Sequence, residues 1–148
     1  MTILKQFDHI GVVVGDLKKA TKELSHFFDL ECEDRMEISD AGIQIAYYPL
    51  GTGQMELIEF QKPVDDVDPM VTRSGAGVQH VAFQVDNFDD SLEELMGKGL
   101  KLVRGFPRQG AHGKVAFFYP TAGLNLMIEI CESSDELKGK GSEHDPAQ

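Results

Sequence analysis

The feature that most constrains this 148-residue chain is that it nearly repeats itself. Asp8-His9-Ile10-Gly11-Val12-Val13-Val14 has a counterpart in Gln79-His80-Val81-Ala82-Phe83-Gln84-Val85. Met55-Glu56-Leu57-Ile58-Glu59 has one in Ile128-Glu129-Ile130-Cys131-Glu132. Glu56 follows His9 by 47 residues, and Glu129 follows His80 by 49. A lone histidine or glutamate says little, but the same pair bracketing two similar segments indicates one structural unit used twice.

Local patterns describe that unit. The opening and closing segments are rich in β-branched residues and read as strands. Each opening strand leads into a helical pattern, the first from Asp16-Leu17 to about Phe28 and the second from Asp89 to about Lys98. Asp16 and Asp89 are predicted N-caps, because a short carboxylate can accept the free N–H groups of a first helical turn. Leu17, Ala20, Leu24 and Phe27/Phe28 recur at helical steps, as do Leu92, Leu95 and Met96, giving each helix a face to bury. Two further strands are predicted in each half, at about 31–38 and 42–49, then at 100–104 and 114–119. Each module therefore reads β-α-β-β-β. The boundaries expected are a first module over 1–62, a linker over 63–76 with Pro63, Pro69 and Gly75, and a second module over 77–132. Residues 133–148 have almost no apolar content and are expected to form a mobile tail.

Composition narrows the function classes. Hydrophobic residues make up 41% of the chain, enough for a core, yet no apolar run approaches the roughly 18 residues a membrane helix needs. The N-terminus lacks the features of a signal peptide, so a soluble cytoplasmic protein is expected. Cys32 and Cys131 lie far apart and form no disulfide framework or CxxC motif, consistent with reduced thiols. A net charge of −11 argues against nucleic-acid partners, and no membrane partner is expected. Against that field, Lys98, Lys101, Arg104, Arg108, His112 and Lys114 gather around glycines 105, 110 and 113. Basic side chains and close-approaching backbone N–H groups suit an anionic small molecule.

The repeated residues carry the chemistry. Side chains alternate between the faces of a strand, so His9 lies opposite Ile10, Val12 and Val14, and Glu129 lies opposite Ile128 and Ile130. If the isoleucine–valine faces pack against helices, His9, Glu56, His80 and Glu129 point to the other side. A carboxylate in such a strand is costly unless paired or metal-bound. Two imidazoles and two carboxylates form a mixed donor set suited to several divalent ions, with coordination positions left for substrate. Glu59 and Glu132, three residues beyond the candidate ligands, are expected to be solvated. His26, within the first helix, is expected on the surface or in packing.

The segments 7–17 (FDHIGVVVGDL), 55–60 (MELIEF), 77–87 (GVQHVAFQVDN), 108–120 (RQGAHGKVAFFYP) and 126–132 (LMIEICE) resemble the vicinal oxygen chelate superfamily, which includes glyoxalase I, extradiol dioxygenases and fosfomycin-resistance proteins. The likeness covers about residues 5–132, and the GAHGK stretch at 110–114 resembles the methylmalonyl-CoA epimerase branch. The resemblance implies an α+β fold of two βαβββ modules, with an eight-stranded curved mixed sheet around a metal-binding cup and helices on the outer face. It implies one divalent metal ion (Co, Zn, Ni, Mn or Mg) on His9, Glu56, His80 and Glu129. The reaction implied is epimerisation of a 2-carboxyacyl-CoA thioester by α-proton exchange, with Glu129 and Glu56 as the acid–base candidates. Gln44, Arg104, Arg108, His112, Gly113 and Lys114 are the substrate-binding candidates, with Gln44 expected to face the cup. A homodimer is expected as well. Alternatives of the same fold are a glyoxalase I-like lactoylglutathione lyase and a non-catalytic small-ligand binding protein. The chain departs from the epimerase pattern at Tyr119-Pro120-Thr121, where a His-Pro-Lys turn is usual.

Overall fold

The computed structural model describes residues 2–38 and 42–133, so the predicted mobile tail falls almost wholly outside the described residues. In chain order the elements are β1 (Leu4–Val13), α1 (Leu17–Phe28), β2 (Asp34–Ile38), β3 (Ile43–Leu50), β4 (Gly53–Phe60), α2 (Pro69–Arg73), β5 (Gly77–Val85), α3 (Phe88–Gly97), β6 (Arg108–Gly110), β7 (Gly113–Phe118) and β8 (Met127–Glu132). The fold is α+β, and its eight strands are ordered β2-β3-β4-β1-β5-β8-β7-β6. The β1–β4 pair is parallel, while β2–β3, β3–β4, β6–β7 and β7–β8 are antiparallel, so the sheet is mixed. Two compact units divide the chain: Asp8–Val81, and Met1–Phe7 with the residues from Ala82 onward. The division passes through β1 and β5.

In the Asp8–Val81 unit, Leu17, Ala46, Tyr48 and Leu57 form the buried core, with Val12, Val14, Ala20, Leu24 and Met55 packed against it. The isoleucine–valine face of β1 thus turns toward α1, as the pleat requires if the helix is to bury its apolar stripe. Asp16 caps α1 by accepting from Lys19 N at 3.0 Å. The helix ends where Asp29 adopts a left-handed φ of 51°. The apolar stripe is buried only in part: Phe27 and Phe28, in the last helical turn, are 68% and 71% exposed instead of buried.

The other unit repeats the plan with different residues. Val85, Phe88, Ala116, Phe118 and Ile130 form its core, and Leu92 and Leu95 of α3 pack on it. Full burial of Phe88 and Phe118 contributes about 1.5–3 kcal/mol each. The N-cap of α3 is Asn87, not the predicted Asp89: Asn87 sits at φ 51° and accepts from Asp90 N, leaving Asp89 in the first turn beside the positive end of the helix.

Two further elements differ from expectation. The strand predicted at 100–104 is reduced to a single bridge between Leu102 and Phe118, and the edge strand is β6. Gly105, with φ 103°, and Pro107, which has no N–H to donate, interrupt the ladder between them. Within residues 63–76, α2 forms because Asp68 accepts from Met70 N at 3.0 Å and Pro69 supplies a preset φ at the helix start.

Candidate metal centre

The Asp8–Val81 unit holds the chemical focus. β1 and β4 run parallel with His9 opposite Gln54 and Gly11 opposite Glu56, so all four side-chain positions share one face. His80, on β5, is only 2% exposed. His9, Glu56 and His80 each offer a ligand atom, and the three atoms lie within 4.8 Å of one another. His9 Nε2 is 3.1 Å from His80 Nε2 and 3.2 Å from Glu56 Oε2. The His9 and Glu56 side chains are 7% and 12% exposed.

The hydrogen-bond partners determine what these atoms can do. Asp8 Oδ2 lies 2.5 Å from His9 Nδ1 and, as a carboxylate oxygen, accepts its proton. Gln79 Nε2 donates to the Val71 carbonyl at 2.6 Å and to Ser74 Oγ at 2.8 Å, which leaves Gln79 Oε1 as the acceptor for His80 Nδ1 at 2.8 Å. Both Nδ1 atoms therefore carry protons in the neutral rings, and both Nε2 atoms present lone pairs. Gln54 Nε2 donates to Glu56 Oε1 at 3.2 Å and turns the other carboxylate oxygen toward His9. Two imidazole lone pairs and one carboxylate oxygen converge on one small region. Such an arrangement repels itself unless positive charge lies among them, and borderline divalent cations favour this nitrogen–oxygen set. The residues fit the group implied by the sequence.

Gly11 is a functional residue that the sequence reading passed over. A Cβ built there would collide with the Cε1, Nε2 and Nδ1 atoms of His80, because the ring lies directly over the glycine. The signal was present in the repeat, where Gly11 aligns with Ala82 and so breaks the match by one methyl.

The remaining candidates are dispersed. Glu129 belongs to the other compact unit, where it is buried on β8 opposite Phe117. Gln44 pairs with Glu59 across β3–β4 and shares the face of Ala46 and Tyr48, which pack with Leu17. It therefore lies on the α1 side of its sheet, opposite to Glu56, and the expectation that it faces the cup is corrected. Arg108, His112, Gly113 and Lys114 lie on the β6–β7 hairpin, with exposed Arg104 preceding it. They do not form one cluster. Arg108 shares the face of Val115, Phe117 and Glu129, whereas Lys114 turns to α3, where its Nζ meets Asp89 Oδ1 at 3.2 Å and lies over the Phe88 ring. His112 is exposed in the two-residue turn, and Gly113 is buried with φ 102°. Lys98 pairs with Glu94 at 3.6 Å.

Two glutamates expected in solvent are structural acceptors. Glu59 Oε1 accepts from Leu17 N at 2.9 Å and so serves the N-terminus of α1. Glu132 is 4% exposed, and its Oε1 accepts from Lys114 N at 2.8 Å. Each carboxylate thus accepts from a backbone N–H. His26 is exposed against Phe27, as expected.

A mixed eight-stranded sheet in an α+β fold, with His9, Glu56 and His80 brought together from β1, β4 and β5, defines the class: a paired-module protein with a buried His-Glu-His cluster that could hold a metal ion. The chain belongs to the Glyoxalase/Bleomycin resistance protein/Dioxygenase superfamily, whose family model matches residues 8–118. It is 28% identical over 142 residues to the uncharacterized protein YqjC of Bacillus subtilis, covering 95% of this chain and 97% of that one. It is 26% identical over 132 residues to the mitochondrial methylmalonyl-CoA epimerase of Bos taurus, covering 86% and 74% of the two chains. A Streptomyces coelicolor methylmalonyl-CoA epimerase in complex with 2-nitronate-propionyl-CoA superposes with a TM-score of 0.73, at 22% identity, over 88% of this chain and 96% of that one. No helix among the described residues is long and apolar enough to cross a membrane.

Proposed function

We propose that this protein is a metal-dependent epimerase that exchanges the α-proton of a 2-carboxyacyl-CoA thioester such as methylmalonyl-CoA. The observation that carries the metal half of this reading is the convergence of His9 Nε2, His80 Nε2 and Glu56 Oε2, each with its other polar atom already engaged. The substrate half is supported by similarity to methylmalonyl-CoA epimerases. A divalent cation bound there supplies Lewis-acid stabilisation for the charge that develops on the substrate when the α-proton leaves.

The chain's own residues have separable tasks. His9 and His80 present lone pairs held in place by Asp8 and Gln79. Glu56 is the ligand oxygen and one acid–base candidate. Glu129 is the other candidate and the proposed fourth ligand, on the strength of the repeated His-to-Glu spacing in the sequence. Proton exchange on two faces of a carbon needs two groups, and an amide such as Gln44 cannot act as a base. Arg108, on the face that Glu129 shares within its unit, is the proposed contact for substrate anionic groups, with Arg104, His112 and Gly113 secondary to it. Lys114 reaches such a group only by leaving Asp89.

The test is isotope exchange in deuterated water with methylmalonyl-CoA and protein loaded with Co²⁺, Zn²⁺, Ni²⁺, Mn²⁺ or Mg²⁺ in turn. Deuterium entering the α-carbon supports the epimerase. No exchange with any metal, together with turnover of methylglyoxal–thiol adducts, assigns the chain to the lyase reaction. For the fourth ligand, Glu129→Gln is compared with exposed Glu37→Gln by metal analysis, and equal metal content in the two variants removes Glu129 from the ligand set.

A further inference from the structure

We propose that Gln79, anchored by α2, is a positioning residue that commits His80 to the Nδ1–H tautomer and so turns its Nε2 lone pair toward the cation. This rests on the metal reading above, but it concerns a residue and a short helix outside the ligand set.

The case starts from a side chain that is hard to explain otherwise. Gln79 is 7% exposed at the start of β5, and burying an amide costs free energy unless its donors and acceptor are all used. All are used. One end donates to the Val71 carbonyl and to Ser74 Oγ, and the other accepts from His80. A carbonyl can only accept, so the Val71 contact fixes which end of the amide is nitrogen. The oxygen must then face the imidazole, and His80 must hold its proton on Nδ1. With Gly11 beneath the ring, the imidazole has its plane set by the missing methyl and its tautomer set by the amide.

The anchor is the segment that the sequence marked as a linker. Val71 is the buried residue of α2, and Ser74 is its C-cap, with Oγ also donating to the Val71 carbonyl at 3.2 Å. Residues 69–74 thus meet a histidine of the cluster through one side chain. The arrangement differs from that at His9, whose support is the adjacent carboxylate of Asp8.

The experiment measures Zn²⁺ affinity by chelator competition at fixed pH, together with the His80 tautomer in the metal-free protein by ¹⁵N NMR. Four forms are compared: wild type, Gln79→Met, Gln79→Glu and Ser74→Ala. Met fills a similar volume without an acceptor, whereas Glu keeps an acceptor for Nδ1 but loses the amide donor. Gln79→Met is expected to weaken Zn²⁺ binding about 10–100-fold, the usual range for losing a partner of a metal-bound histidine. It is also expected to shift His80 toward the Nε2–H tautomer. Gln79→Glu should lose stability but retain most of the affinity, and Ser74→Ala should fall between wild type and Gln79→Met.

A merely structural role predicts that the Met and Glu variants lose stability together while the affinity of folded protein is unchanged. That outcome overturns the proposal, as does an Nε2–H tautomer in the wild type. If Gln79→Met does not fold, Ser74→Ala and the wild-type tautomer still decide. A wild type that binds no Zn²⁺, Co²⁺ or Ni²⁺ refutes the metal reading instead, and the tautomer measurement then separately tests the hold of Gln79 on His80.

Discussion

The two halves of this chain use one register for different purposes. Ala46-Tyr47-Tyr48 lies opposite Leu57, Glu56 and Met55, and Ala116-Phe117-Phe118 lies opposite Ile130, Glu129 and Ile128. Each glutamate faces an aromatic residue, and each alanine faces a branched aliphatic in the core. The halves differ at a few equivalent positions that bear on packing and on the histidines. The first half has a tyrosine where the second has Phe118, a glycine where the second has Ala82, and a charged neighbour for its histidine where the second has a neutral amide. The register is shared, and these three differences fall at a buried hydroxyl, beneath the His80 ring and beside the two histidines. Exchanging residues between equivalent positions is therefore the direct way to test this view.

The largest effect is expected from making Gly11 like its counterpart. Gly11→Ala places a methyl where the His80 ring lies, against three ring atoms at once. The ring must move or the strands must part. Overpacking of this kind costs about 1–3 kcal/mol. Displacing a ligand should also lower Zn²⁺ affinity by more than about 100-fold, beyond the range of an outer-sphere change. Thermal unfolding and chelator competition measure the two. Normal metal binding in a folded Gly11→Ala variant would show that the His80 position is not held by this contact.

Next comes Phe118→Tyr, which copies Tyr48 into the second core. Phe118 is fully buried among Val85, Phe88, Ala116 and Ile130, none of which has a side-chain hydrogen-bonding group. A hydroxyl introduced there loses water and gains nothing, a cost of about 1–3 kcal/mol in urea unfolding. A smaller loss would mean that a backbone carbonyl can turn to accept it.

The third exchange concerns the histidine supports. Asp8→Asn keeps an acceptor for His9 Nδ1 but removes the charge, making His9 resemble His80. Zn²⁺ affinity should fall about tenfold, the lower end of the outer-sphere range. No change would mean that the two supports are equivalent and that the charge of Asp8 adds nothing to ligand basicity.

Much of this arrangement was readable from the chain because a repeat displays its own register. The module order, the Asp16 cap and the strands bearing His9, Glu56, His80 and Glu129 follow from spacing and alternation alone. What could not be read depends on contacts between segments distant in sequence. The face of Gln44 is set by which side of β3 receives α1, and either parity of that strand looks acceptable beforehand. The edge strand shifts to Arg108–Gly110 because Gly105 and Pro107 break a ladder that local propensity alone would continue. The basic side chains divide because neighbouring positions on a hairpin face opposite ways, so proximity in sequence overstated their proximity in space. Glu59 and Glu132 look like surface acids until the backbone N–H groups they serve are located.

The smallest effect is the reverse exchange in the first core, and it has a pH signature of its own. Tyr48 is fully buried, and its hydroxyl has no hydrogen-bond partner among the described residues. Tyr48→Phe removes that burden and should stabilise the protein by about 1 kcal/mol, the low end of the cost of an unsatisfied buried group. Burial also holds the Tyr48 phenol above its ordinary value of 10.0, with Cys32 adding to the shift and Arg35 opposing it. The unfolded chain therefore ionises first as pH rises. Stability linked to this proton is fully present below pH 10 and is lost as pH climbs through the higher folded value. The phenylalanine variant has no such proton to lose, so its advantage should widen above pH 10 and stay constant below it. Urea unfolding on both sides of that pH measures the difference. A destabilised Tyr48→Phe would mean that the hydroxyl is satisfied by ordered water, and the first core would then owe its tyrosine to hydration rather than to tolerated strain.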